Sequence, residues 1–190
     1  MGPPASRGVT VYLGLGANLG DRLANLERAV QLLGRVDGLR LVRSSRVYET
    51  DPVGPPQPEY LNAVIQGRTS LEPMSLLSAC LSVEREMGRV RRGRWGPRII
   101  DIDVLTYGDR VVRESELTIP HPRMLERAFV LVPLLEVNPF PQLPGGGSIG
   151  PLRLSREGVS VFAPPLPLPP RGGDAPIGAA DHRGYTRPDR

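Results

Sequence analysis

The stretch RWGPRIIDIDVLTYGD, Arg94–Asp109, carries two aspartates inside what otherwise reads as a buried strand. Residues two apart on a strand share a face, so Asp101 and Asp103 point one way while Ile100, Ile102 and Val104 point the other. The apolar side packs on the core. Two carboxylates about 7 Å apart at their Cα atoms repel unless something neutralises them, and aspartate is a poor strand former. Either arginine pairing on an ordinary solvated face or a hard cation can neutralise them, and the DxD spacing alone does not choose.

Upstream of this strand, Leu76, Leu77, Cys80, Val83 and Met87 form the apolar stripe of a helix that starts near Ser70, Glu72 and Pro73 and stops at Gly88. Before it, YLNAVIQGRTS (60–70) reads as a strand, and DPVGPPQPE (51–59) as a stiff loop, because its prolines lack ladder donors. LRLVRSSRVYET (39–50) alternates as one strand of a half-covered sheet. VTVYLGLG (Val9–Gly16) is a strand running into a glycine turn. A helix with Leu23, Leu26, Val30 and Leu33 follows, capped by Asn18 or Asp21 and ended by Gly34–Gly38. Downstream of the aspartates, VLVPLLEV is a last core segment.

The order β-α-β-β-α-β predicts an α+β, ferredoxin-like fold, with a mainly antiparallel sheet and its helices on one face. The catalytic unit is expected over 1–140 and a C-terminal extension over 141–162, where VSVF can add a strand. From about 163 the chain holds too few apolar residues to offset its ordering entropy, so a disordered tail is expected to 190. PLPLPP suits an unstructured tail better than a polyproline ligand.

A content of 39% hydrophobic and 23% charged residues is that of a globular protein. No apolar run approaches the roughly 20 residues needed to cross a bilayer, and MGPPASRG lacks an apolar leader core, so a cytoplasmic protein without a membrane partner is expected. The single cysteine, Cys80, lies on the apolar side of its helix, which makes it a core residue, not a nucleophile. All 24 basic residues are arginines, and Arg85, Arg89, Arg91, Arg92, Arg94 and Arg98 crowd ahead of the two aspartates. Guanidinium groups pair bidentately with phosphate, and Trp95 among them offers a stacking surface for a flat ring. Acids for Mg²⁺ beside arginines for phosphate point to a nucleoside triphosphate, whereas with nucleic acid alone the acids would oppose the phosphates.

GLGANLGD (Gly14–Asp21) is neither a phosphate loop nor a dinucleotide fingerprint: it lacks a GK[ST] ending and its spacing is GxGxxxG. Asn18 in this turn can present an amide to a ligand. Tyr60 and Asn62 share a strand face and either read a flat heterocycle or form a core-edge pair. His121, between Pro120 and Pro122 and near Arg123 and Arg127, is structural or donates to a phosphate oxygen.

Taken together, GLGANLGD, QPEYLNAV, GRVRRGRWGPRIIDIDVL and LTIPHPRMLERAFVLVPLLE resemble, in that order over about Val9–Pro139, the 6-hydroxymethyl-7,8-dihydropterin pyrophosphokinases of folate biosynthesis. The resemblance implies transfer of pyrophosphate from ATP to a pterin alcohol. It assigns two Mg²⁺ ions to Asp101 and Asp103, and ATP or its phosphates to Arg91, Trp95, Arg98, His121 and Arg127. Glu84 and Thr118 become peripheral ATP contacts, and Val104 lies beside the adenine. Tyr60, Asn62 and Phe129 are assigned to the pterin, with Thr50 and Val53 contributing backbone and Trp95 a border. Arg89 joins Arg91 on a mobile catalytic loop.

Asp51, Leu81 and Pro122 depart from the family pattern, as does the glycine- and proline-rich tail, and both mobile loops look one residue short. The expected state is a monomer that binds small molecules and no nucleic acid. A ferredoxin-like RNA-binding module and a kinase that releases ADP are the alternatives. The module would need the aromatic RNA-binding pattern, which this sequence lacks.

Overall fold

The computed structural model describes residues 8–52, 56–89, 96–143 and 158–170. Val53, Arg91 and Trp95 lie outside them. Strand β1 (Val9–Ala17) is followed by helix α1 (Arg22–Leu33), strands β2 (Leu39–Ser44), β3 (Val47–Thr50) and β4 (Tyr60–Thr69), helix α2 (Pro73–Glu86) and strand β5 (Asp101–Tyr107). The short strands β6 (Val112–Arg113) and β7 (Thr118–Ile119), helix α3 (Ala128–Val137) and strand β8 (Val159–Ala163) complete the order. The main sheet runs β5-β1-β4-β3-β8, with β2 also on β4, and every pairing is antiparallel. This is the expected ferredoxin-like arrangement of a βαββαβ unit.

Local chemistry sets the element ends. The Asp21 carboxylate caps α1 by accepting from the Ala24 N–H at 3.1 Å. Pro73 opens α2, where its missing N–H costs nothing, and Gly88 beyond the helix adopts φ +83°. Gly14 and Gly16 lie within β1, and the tight turn that was expected there comes later, at Gly20 with φ +63°.

The single strand expected over 39–50 is two. Ser45 interrupts it: its hydroxyl accepts from the Val64 N–H at 2.9 Å and donates to the Arg46 carbonyl at 2.7 Å, taking over hydrogen bonds that a regular ladder would make.

α1 and α2 cover one face of the sheet, over Leu13, Leu15, Leu61, Ile65, Ile102 and Val104. The other face is covered too, which the expectation of helices on one face missed. α3 packs there on Tyr12, Val64 and Leu105 through Val130, Leu131, Leu134 and Val137. VLVPLLEV is apolar on all sides, so its periodicity does not reveal which face it covers. Glu136 and Asn138 fasten its far end: Tyr48 donates to Glu136 at 2.6 Å and Asn138 donates to the Tyr12 hydroxyl at 2.9 Å.

Order also continues past the point where a disordered tail was expected. Val159–Ala163 form β8 on the edge strand β3, and 164–170 run on along the body. The Leu166 side chain is buried, its N–H donates to Ser44 Oγ at 3.2 Å, and the Pro167 carbonyl accepts from Gln31 at 3.3 Å. Proline enters this segment already stiffened, which lowers its ordering cost.

Leu131 is fully buried between α3 and the sheet. Leu131→Ala is expected to lower stability by about 2–5 kcal/mol in urea unfolding, whereas the exposed Leu125→Ala stays within about 0.5 kcal/mol.

Candidate active site

The α3 face is left open toward one end of the sheet, and the side chains there follow from strand register. Gly16 pairs with Asn62 on one side and Asp101 on the other, and Gly14 pairs likewise with Val64 and Asp103. Each row is thus acid, glycine, then Asn62 or Val64. With strands about 4.8 Å apart, the bare glycines leave a trough about 10 Å wide between the acids and Asn62. A Cβ on Gly16 would stand 3.0 Å from Asn62 Oδ1, and one on Gly14 would stand 3.3 Å from Leu105 Cδ2. Glycine is therefore favoured by tight space at these positions, not by backbone angle.

Over this trough lies a cavity of about 440 Å³. Its wall carries Asp101, Asp103, Arg98, Arg123 and Arg127 together with Thr50, Asp51, Pro52, Gln57, Tyr60, Asn62 and Phe129. Asn18 brackets this wall. Its N–H donates to the Arg98 carbonyl at 3.1 Å and its Oδ1 accepts from the Arg98 N–H at 2.8 Å. Its amide N–H groups donate to Gln57 and to the Pro58 carbonyl at 3.1 and 3.2 Å. Asn18 is thereby consumed as a bracket and does not present an amide to a ligand. Gln57 also accepts from the Tyr60 hydroxyl at 3.2 Å, and Asn62 donates to Thr50 Oγ1 at 2.7 Å.

Of the two routes to neutralising the acids, arginine pairing is seen at Asp101. Asp101 is clamped by Arg98 and by Arg89, the latter at 2.8 Å. Arg89 also pairs with Glu84, whose buried carboxylate accepts from the Ile102 N–H at 2.7 Å. Burial raises the Glu84 pKa, opposed by that hydrogen bond and by Arg89. Asp103 has no ion-pair partner among the described residues. Burial, then the charge of Asp101, pushes its carboxyl up to about 7, against the pull of Arg127.

Burial and then Arg127 lower the pKa of His121, whose Nδ1 accepts from the Arg123 N–H at 3.2 Å. The neutral ring thus carries its proton on Nε2, where it is a donor. Burial and the neighbouring Arg123 lower the pKa of Arg127, which lies 5.5 Å over the Phe129 ring.

A family model for 7,8-dihydro-6-hydroxymethylpterin-pyrophosphokinase (HPPK) matches residues 12–139. The chain belongs to the HPPK family. A 2-amino-4-hydroxy-6-hydroxymethyldihydropteridine pyrophosphokinase of Methylorubrum extorquens is 50% identical over 129 residues, covering 67% of this chain and 82% of that one. One from Synechocystis is 46% identical over 127 residues, covering 67% of this chain and 65%, just under two thirds, of that one. The fold is shared with a Plasmodium falciparum HPPK-DHPS crystallised with pteroate, at a TM-score of 0.56 and 16% identity, over 68% of this chain and 41% of that one.

Of the residues that the HPPK resemblance assigned, Thr50, Tyr60, Asn62, Arg98, Asp101, Asp103, Arg127 and Phe129 meet at the one cavity. Arg89 reaches it through Asp101, and His121 lies within electrostatic reach of Asp101 and Arg127. Among the described residues, four expected ATP contacts do not line it, His121 being one. Glu84 is sealed beneath β5, the Val104 side chain is in the opposite core, and Thr118 is exposed on β7.

Sequence reasoning missed Gln57, Glu126, Gly158 and Val159 and gave Arg123 no role of its own, yet all five line the cavity. Gln57 carried a signal in its place between Asn18 and Tyr60. Gly158 and Val159 carried none, since they lie about a hundred residues from Thr50.

Cys80 is inert here: burial pushes its thiol up to about 12. The raised pKa of Asp103 means that the folded chain holds a proton which the unfolded chain has released. Its contribution to stability is therefore lost as pH rises from about 4 toward about 7. In metal-free buffer Asp103→Asn is expected to melt several degrees above wild type at pH 8 and level with it at pH 4, as read by thermal denaturation across pH.

Proposed function

We propose that this chain transfers pyrophosphate from ATP to 6-hydroxymethyl-7,8-dihydropterin, releasing AMP, with two Mg²⁺ ions held by Asp101 and Asp103. The observation that carries the reading is one cavity over a glycine-floored trough that brings two acids and three arginines together with Tyr60, Asn62 and Phe129.

The donor set fits the metal. Two carboxylates on one strand face, of which Asp103 lacks an ion-pair partner among the described residues, suit ions that take their remaining oxygens from triphosphate and water. No group of three or more His, Cys, Asp or Glu that could hold a metal occurs among the described residues, which agrees with a shared, substrate-completed site. When bound, Mg²⁺ screens the phosphate charge and helps align the triphosphate.

The remaining work falls to the chain. Arg98, Arg127 and the Nε2–H of His121 donate to phosphate oxygens, and Arg89 and Arg91 add charge from the loop that follows α2. Tyr60 and Phe129 enclose the pterin ring with Trp95 at its border, and Thr50 and Val53 offer backbone groups. Asn62 reads the ring edge with its carboxamide. Holding both substrates along one trough brings the hydroxymethyl oxygen in line with the β-phosphorus, where positioning supplies most of the rate. The bond from that oxygen to the β-phosphorus forms as the hydroxyl proton passes to solvent, the bond from the β-phosphorus to the α,β-bridging oxygen breaks, and AMP leaves with that oxygen.

Glu84 keeps a supporting part under this reading, because it orders the Ile102 N–H and Arg89 from beneath. Val104 and Thr118 are left, at most, with contacts that the ligand-free cavity does not display. No helix among the described residues is long and apolar enough to cross a membrane, and a cytoplasmic monomer without nucleic-acid partners completes the proposal.

Product analysis with ATP, Mg²⁺ and the reduced pterin alcohol is expected to give AMP and the pterin pyrophosphate. ADP, or no turnover by folded protein, refutes the reading. Asp101→Ala and Asp103→Ala are each expected to lower kcat at least about 100-fold, with melting temperatures showing that the variants remain folded.

A further inference from the structure

The C-terminal strand β8 does more than cover the edge of β3. It reaches the cavity, where Gly158 and Val159 join the wall with Thr50, Asp51 and Pro52, Thr50 being a residue proposed for the pterin. Val159 stands opposite Thr50 in the β3–β8 register, and the Asp51 N–H donates to the Gly158 carbonyl at 3.3 Å. Gly158 sits at φ +70°, a conformation that favours glycine, and a Cβ there would stand 2.7 Å from Asp51 Oδ2. The segment is thus seated closely against the backbone where the proline loop leaves β3.

The same segment is anchored at a distance. Beyond Leu166 and Pro167, Pro169 closes on the end of α1, where a Cβ on Gly34 would come within 2.1 Å of Pro169 Cγ. Between the two anchorages, Arg22 of α1 stands 5.6 Å over the Phe162 ring, pairs with Glu49 at 2.8 Å and donates to the Glu59 carbonyl at 2.9 Å. Arg22 therefore ties β8 to β3 and to the far end of the proline loop, next to Tyr60.

We propose that residues 158–170 form a strap in which Gly158 and Val159 act as positioning residues for the ring ligand, by fixing the backbone of Thr50–Pro52. The inference rests on the pyrophosphokinase reading for the identity of that ligand. The strap's own contacts at the cavity are with Thr50 and Asp51, while Asp101 and Asp103 are held by β5 and the Arg98 backbone by Asn18. Loosening it should therefore weaken pterin binding and spare the nucleotide, a separation that a general loss of structure would not produce.

The test uses the full chain and two titrations by calorimetry: α,β-methylene-ATP with Mg²⁺, then 6-hydroxymethyl-7,8-dihydropterin into protein saturated with that nucleotide. Gly158→Ala is expected to raise the pterin Kd about tenfold, with the nucleotide Kd within about twofold of wild type. Gly34→Ala, which displaces Pro169 far from the cavity, and Val159→Ala, which needs no backbone change, shift the same Kd in the same direction by less. Ser160→Ala, exposed on β8, leaves both unchanged.

Unchanged pterin affinity in Gly158→Ala, Gly34→Ala and Val159→Ala, or an equal loss of both ligands, overturns the strap. Wild-type protein that binds nucleotide and no pterin overturns the functional reading and the strap with it. Tight wild-type pterin binding with variant ratios near one overturns the strap alone.

Discussion

The antiparallel register of β1 between β4 and β5 is the constraint on which the site depends. It sets Gly16 between Asn62 and Asp101, and Gly14 between Val64 and Asp103. Strand side chains alternate, so the residues between, Leu13, Leu15 and Ile102, go to the opposite core. A slip of one residue would bury the acids among the leucines and expose the core face, which makes the register costly to change. The apolar half of β5 thus holds the acidic half in place.

Charge balance is the second organising element. The chain neutralises Asp101 with Arg89 and Arg98 and seats Glu84 behind Arg89, so that these acids and arginines form one linked group. Asp103 stands outside this pairing, and burial beside Asp101 raises its pKa. Under the proposed function, phosphate would take up the guanidinium groups as the carboxylates turn to cations. Asn18 supplies a firm base, since it joins the Arg98 backbone to the proline loop through four hydrogen bonds.

Legibility varied with the range of the interaction. Local pattern located β1, α1, β4, α2 and β5, because each has its own period and its own start or stop residue, such as Asp21, Pro73 or Gly88. The break at Ser45 was hidden, since alternation runs through it and the cause is a hydroxyl bonded to Val64 on another strand. The side on which α3 packs was hidden as well, for a helix apolar all round has no preferred face. The ordered strap was misread because a proline-rich segment buries little by itself, and its partners Gln31, Gly34 and Ser44 belong to distant elements.

By itself, the sequence determined the fold class, the two-faced character of β5 and eight of the residues that line the cavity. Period, capping and motif spacing are properties of short stretches of chain, and short stretches can be read without coordinates. Only the tertiary structure decided that Gly14 and Gly16 are floor and not turn, that Glu84 is buried support, and that Gly158 and Val159 belong to the wall. Those outcomes depend on which strands become neighbours and in what register, and the free energy that selects the neighbours is spread over a whole core and written in no single segment.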